Sequence, residues 1–168
     1  MGLRQSGFTL IEIVVVVTIL AMTALLVFPR LPDTREAALK SSARTLATTI
    51  RYVRDQALLK RLPHRLRFTA GEGNIAVTTL PPGGTETPSE DAFLRRRILG
   101  DDIIVSDITT PRLGKVASGD TFIDFGPAGI SETLIIHLRE PQGNQMTVIA
   151  FPFGGQVKVE SGYRELGP

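Results

Sequence analysis

One carboxylate near the start of a long apolar segment is the clearest candidate for chemistry in this chain. Glu12 is followed by residues 13–28, none of which is charged. A charge at the centre of a bilayer costs about 2.5–3.5 kcal/mol on insertion scales. A glutamate retained at such a cost is predicted to have a function, and Glu12 is therefore the first site residue that the sequence proposes.

Few other polar residues are spaced for catalysis. The two histidines, His64 and His137, lie in no H-x-x-x-H pair and in no nucleophile-elbow pattern. His137 shares an alternating face with Ile135 and Arg139, which predicts a surface or sheet-edge position rather than a ligand. The chain has no cysteine, which excludes disulfides and thiolate metal sites. Neither an enzymatic activity nor a cofactor is predicted.

Two clusters of charge remain as candidates for binding. The aspartates at 101–102, with the acids at 90–91 nearby, could collect around Ca²⁺, but acidic pairs in polar loops are usually solvated, and no metal is predicted. Arg95, Arg96 and Arg97 form the densest basic run in the chain. On a strand they would point to alternate faces, so the run predicts either edge protection or contact with phosphate or a partner.

The element that must position Glu12 is an apolar helix. Residues 8–28 would span about 31 Å as a helix, close to the hydrocarbon thickness of a bilayer. Pro29 marks the far end, where a helix kinks or loosens. A cleaved secretory signal would have a shorter, uncharged core and a better cleavage site than the one near Ala24. A plain membrane anchor would leave Glu12 unexplained.

An amphipathic helix is predicted next, over residues 29–62. Its apolar residues recur at alternating spacings of four and three, which is one face of a helix. They are Leu39, Ala43, Leu46, Ile50, Val53 and Ala57. Pro63 ends the helix. Because the stripe is too short for a stable coiled coil, burial against a sheet is the preferred prediction.

Short alternating segments with turn residues between them predict a β-rich remainder. Residues 65–68 and 75–77 form a hairpin around the turn at 71–74. Residues 81–91 form a proline-rich loop with nothing to bury, which is predicted to be mobile. Further strands are predicted at 93–99, 103–108, 121–125, 133–139, 146–151 and 156–160. The fold class is therefore α+β, a long N-terminal helix packed on an antiparallel sheet domain.

The start of the chain resembles the processing site of type IV prepilins and type II secretion pseudopilins. The resemblance rests on a short polar leader ending in Gly7, on Phe8 after it, and on Glu12 four residues later. It implies that a prepilin peptidase cleaves between Gly7 and Phe8 and methylates the new amine of Phe8. It also implies that Glu12 neutralises the amine of an adjacent subunit during assembly, and that Pro29 lies in a segment that can unwind in a filament.

The order of parts resembles the H-type minor pseudopilins and the related DNA-uptake minor pilins. The similarity lies in the helix before a β-rich domain and in the tail segments 122–129 and 153–157. It implies a structural subunit of a type II secretion pseudopilus, whose partners are other minor and major pseudopilins, the inner-membrane secretion platform and membrane lipid. The alternatives are a minor pilin of a type IV pilus or DNA-uptake machine, and a membrane-anchored binding or enzymatic domain.

Specific binding to DNA is not expected. The net charge is only +2, from 19 basic and 17 acidic residues, and the tail offers isolated cations at Lys158 and Arg164.

The segments described above, together with the resemblance, predict a leader (1–7), a transmembrane helix (8–28), an amphipathic helix (29–62) and a β-rich periplasmic domain (63–168). The resemblance to prepilins implies that the N-terminus lies in the cytoplasm of a bacterium, with a single pass through its inner membrane.

Overall fold

The computed structural model describes residues 8–27, 34–152 and 154–165, and it divides the chain into two units, Met1–Asp33 and Thr34–Pro168. The first unit contains helix α1 (Leu10–Val27). The side chains of residues 8–25 are all exposed. Among the described residues, no helix combines the length and the apolar content that a membrane crossing requires. The predictions made for Gly7 and Pro29 lie outside the described residues.

The second unit begins with helix α2 (Thr34–Lys60), and its predicted apolar stripe is buried. Leu46 and Val53 are fully buried, and Ile50 is nearly so. The helix ends where Arg61 takes a left-handed conformation (φ 52°), a common way for the chain to leave a helix, two residues before Pro63. The prediction that α2 covers a sheet is confirmed, since it contacts strands of both sheets.

Nine strands form two antiparallel sheets among the described residues. In chain order the strands are β1 (His64–Ala70), β2 (Ile75–Thr79), β3 (Thr87–Pro88), β4 (Ile104–Thr110), β5 (Gly114–Val116), β6 (Gly119–Phe125), β7 (Leu134–Arg139), β8 (Gln145–Ala150) and β9 (Val157–Ser161). The first sheet has the order β3-β2-β1-β6 and the second β5-β4-β7-β8-β9. The α+β class is confirmed, and the core lies between α2 and the two sheets.

The predicted strand at 93–99 is wrong, because residues 93–95 form a turn and the rest of the segment is irregular. Leu94 and Ile98, four residues apart, are buried in the core, while the three arginines between them are exposed. The backbone N–H groups of Leu94 and Arg95 both donate to the carbonyl of Asp91, which winds the segment into a turn. The spacing of four between Leu94 and Ile98 is also compatible with the alternation of a strand, which is why the pattern predicts one here.

The prediction that the loop at 81–91 has nothing to bury is also wrong. Its second half forms β3, and Glu86 lies between two arginines of β1. Arg67 donates to Glu86 over 2.5 and 2.6 Å, Thr78 donates over 2.6 Å, and Arg65 donates over 3.2 Å. The hydrogen bonds from Arg67 and then Thr78 lower the pKa of Glu86 from 4.5 to about 2. The loop is therefore fastened to the first sheet by charge.

Candidate assembly site

The first turn of α1 is organised by Thr9. Its hydroxyl oxygen lies 3.3 Å from the backbone N–H of Glu12, and its carbonyl accepts from the N–H groups of Glu12 (3.1 Å) and Ile13 (3.3 Å). Thr9 is therefore the residue that caps the helix, and Glu12 occupies the third helical position. The spacing Thr-x-x-Glu is the sequence signature of a capping box, a signal that could have located the helix start without a structure.

Glu12 lies at the end of α1 where the helix dipole is positive, so its charge is favourable there by about 0.3–1 kcal/mol. Phe8 and Glu12 are four residues apart, but they do not share a helical face, because α1 begins at Leu10 and Phe8 precedes it. Helical geometry therefore does not hold an amine on Phe8 beside the carboxylate of Glu12. An amine supplied by another molecule remains compatible with this arrangement.

The other two polar side chains of α1 are satisfied within the helix. The hydroxyl of Thr18 donates to the carbonyl of Val14 over 2.7 Å, and that of Thr23 donates to the carbonyl of Ile19 over 2.5 Å. Such bonds to the preceding turn use the only hydrogen-bond donor of each hydroxyl. Glu12 forms no ion pair with any described residue, so it is the one polar side chain of α1 available to an external cation.

The acidic residues considered for Ca²⁺ do not meet. Asp91 accepts a 2.6 Å hydrogen bond from the hydroxyl of Tyr52 and a 2.8 Å bond from the backbone of Phe93, whereas Asp101 pairs with Arg97 on the surface. The shared hydrogen bond lowers the pKa of Asp91 and raises that of Tyr52. Within the described parts of the chain, no group of three or more His, Cys, Asp or Glu side chains is arranged to hold a metal.

The prediction that His137 lies at the surface is wrong, because it is fully buried in the second sheet. Its Nδ1 lies 2.6 Å from Oδ1 of Asp107, and its Nε2 lies 3.0 Å from the carbonyl oxygen of Arg164. The ring of Tyr163 stacks on the imidazole at 3.7 Å. Thr147, on the next strand, accepts from the N–H of Arg164 over 3.0 Å. We call these five residues the C-terminal clasp.

Three residues of the C-terminal clasp form a row across three strands. Asp107 of β4 is in register with His137 of β7, which is in register with Thr147 of β8. The row holds the segment after β9 against the sheet. Because His137 is closed to solvent, the pair serves to fasten the chain and is not accessible to a substrate.

Two glycine-containing turns converge on Arg54 of α2. A Cβ atom added at Gly155 (φ 61°) would lie 0.8 Å from Nη1 of Arg54, and one added at Gly129 (φ 91°) would lie 3.6 Å from its Cγ. The same guanidinium lies 3.4 Å from the carbonyl oxygen of Gly154. The tail segments singled out in the sequence therefore meet at one side chain of the helix, except for Phe153, which lies outside the described residues.

Two comparisons with known proteins find a match, one to the N-terminal segment and one to a longer part of the chain. Residues 2–28 match the family described as the prokaryotic N-terminal methylation motif. The type II secretion system core protein G of Dickeya chrysanthemi is 32% identical over 133 residues, covering 77% of this chain and 82% of that protein. No solved structure matches the chain. Since 77% of the chain is covered, the similarity to this relative extends well beyond residues 2–28.

Proposed function

The chain belongs to the pilin-like family of type II secretion pseudopilins that includes core protein G, and from this premise we propose that it is a minor pseudopilin of the H class. In this role it is a structural subunit rather than an enzyme. We propose that the predicted span 8–28, of which α1 is the described part, anchors it in the inner membrane, with its body in the periplasm and its leader in the cytoplasm. Its partners are other pseudopilins, the prepilin peptidase, the secretion platform and membrane lipid.

The observation that carries this proposal concerns the side chain of Glu12, which lies at the capped start of α1 without a partner in the helix. Of the polar side chains described in that helix, only Glu12 lacks a partner within it. We propose that cleavage after Gly7 creates an amine on Phe8, and that Glu12 of one subunit receives the Phe8 amine of another. Pro29 then lies in the segment that adjusts when subunits pack.

The strength of such a pair is sufficient to select a register. An α-amine stays positive near neutral pH, because its pKa is near 8. At about 4 Å and an effective dielectric near 20, its attraction to a carboxylate is on the order of 4 kcal/mol before desolvation. A subunit displaced along the filament would lose this attraction and leave two unpaired charges in an apolar environment.

The assignment to the minor class is supported by the contacts around Arg54. The two tail turns on which the H-type resemblance rests both lie next to the side chain of Arg54, and the carbonyl of Gly154 accepts from it over 3.4 Å. A minor pilin of a type IV pilus, including one used for DNA uptake, is the second candidate. The genes beside this one distinguish the two, since a secretion operon favours the first and a pilus or competence cluster the second.

The role of Glu12 is tested with three variants in the native host. Glu12→Ala should leave processing and membrane insertion intact, weaken crosslinking to partner pseudopilins and reduce secretion. Glu12→Asp should restore part of the crosslinking and part of the secretion, because it keeps the charge on a shorter side chain. Thr9→Ala is the matched control, since it removes a capping hydroxyl and costs about 1 kcal/mol of helix stability but leaves the charge. Normal assembly and secretion by Glu12→Ala would refute the role.

A further inference from the structure

A groove lies beside the free part of β2 in the first sheet, and neither the family nor the proposed assembly role accounts for it. Its volume is about 720 Å³, within the range of ligand-binding clefts. It runs between residues 73–77 on one side and residues 94–98 on the other, and Pro88 and Glu72 also contribute to its lining. The groove lies wholly within the described residues of the second unit.

The strand edge in the groove is incompletely paired. Strand β3 pairs only with Thr78 and Thr79, and the N–H of Ser89 donates to the carbonyl of Val77 over 3.1 Å. After Ser89 the chain turns away from the sheet. Backbone groups of a strand alternate between its two edges, so the N–H and carbonyl of Ile75 point to the same side as those of Val77. Among the described residues they have no strand partner, which leaves a position where another strand can add.

The other wall of the groove combines an apolar base with a basic rim. Leu94 and Ile98 are buried, whereas Arg95, Arg96 and Arg97 between them are exposed. The guanidinium of Arg96 lies over the ring of Phe93 at 3.7 Å, which restrains its position. Only Arg97 of the three has a carboxylate partner among the described residues, and that partner, Asp101, is itself exposed.

We propose that this groove binds an extended acidic segment of a partner protein, which adds to the first sheet as a strand beside β2. Main-chain hydrogen bonds at the free edge would supply affinity, and the three arginines would select carboxylates. Nucleic acid fits less well. The base of the groove is apolar, Glu72 contributes to its lining, and the nearby ring of Phe93 already contacts Arg96 and Tyr52, which leaves less of it for base stacking.

A defined peptide tests both parts of the proposal with the full chain in neutral detergent. The probe is a fluorescein-labelled octapeptide of alternating valine and glutamate, and its anisotropy is followed as protein is added. Saturable binding is expected. It should weaken at least about tenfold when alternate amides of the peptide are N-methylated, because a lost hydrogen bond is worth about a factor of ten. A peptide with lysine in place of glutamate should not bind.

Two triple variants locate the binding. Arg95→Glu, Arg96→Glu and Arg97→Glu together should abolish saturation, and their far-UV circular dichroism should be unchanged because all three side chains are exposed. Lys40→Glu, Arg44→Glu and Lys158→Glu change the net charge equally at exposed positions outside the groove and should bind as the parent does.

Four results would overturn the proposal. The first is failure of the peptide to saturate, which would leave the arginines as protection for a sheet edge. The second is equal binding of the N-methylated peptide, which would indicate charge attraction without strand addition. The third is displacement of the peptide by a single-stranded oligonucleotide at physiological salt. The fourth is self-association of the full chain that the arginine variant relieves, which would make a second copy the occupant.

Discussion

Replacing Asp107 with asparagine tests how the C-terminal segment is held to the second sheet. Both contacts of the His137 ring are with acceptors, the carboxylate of Asp107 at 2.6 Å and the carbonyl of Arg164 at 3.0 Å. Oδ1 of Asp107 also accepts a 3.3 Å hydrogen bond from the hydroxyl of Tyr163, so asparagine at this position disturbs contacts with both rings of the clasp.

The cost of the substitution follows from burial. His137 is fully buried and Asp107 is 3% exposed, so water cannot replace a lost hydrogen bond. A buried donor or acceptor that is left unsatisfied costs about 1–3 kcal/mol. For a unit of about 135 residues, at roughly 4 °C per kcal/mol, the melting temperature should fall by about 4–12 °C.

The assay is thermal unfolding of the full chain in neutral detergent, followed by circular dichroism. Asp101→Asn is the matched control, because it makes the same chemical change in a surface pair with side chains 63% and 86% exposed, and should cost under about 1 kcal/mol. Equal melting of the two variants would refute the reasoning.

Three further substitutions test the packing of the body. Leu46→Asp places an unpaired charge at a fully buried position of α2 and should abolish cooperative unfolding, and unaltered melting would mean that the stripe faces no core. Gly155→Ala should displace the guanidinium of Arg54 and lower the free energy of unfolding by about 1 kcal/mol more than Gly154→Ala, where the added methyl group meets only backbone strain. The difference between the two variants should vanish when Arg54 is replaced by alanine. The lowered pKa of Glu86 predicts stability that is present above about pH 4.5 and is lost as the pH falls towards 2, so acid titration of Glu86→Gln should lack this component.

The parts of the fold that the sequence predicts correctly depend on short-range pattern. The stripe of α2 repeats over several turns, and the hairpin of β1 and β2 has a turn between two alternating segments. The start of α1 could have been placed in the same way, since the Thr-x-x-Glu spacing lies within one turn, although the predicted helix begins two residues earlier, at Phe8. In each case the physical cause acts between residues a few positions apart, so a single sequence contains it.

The incorrect predictions concern residues whose environment comes from distant parts of the chain. His137 alternates with ordinary neighbours on β7, and its burial depends on the register with Asp107 and on the return of Arg164 over the sheet. Glu86 looks solvated until β3 brings it between two arginines. The contact between Arg54 and Gly155 joins α2 to the turn before β9, which neither segment alone could indicate.

Mass spectrometry of the mature protein, isolated from the membranes of its own host, shows directly whether the chain is cleaved and methylated as a prepilin. We predict that the mature chain begins at Phe8 and that its amine carries one methyl group. A variant with a bulkier residue in place of Gly7 should retain the leader, because the peptidase subsite before the cut would have no room for a side chain. An intact N-terminus at Met1, or cleavage near Ala24, would contradict the assignment of this chain to the processed pseudopilins.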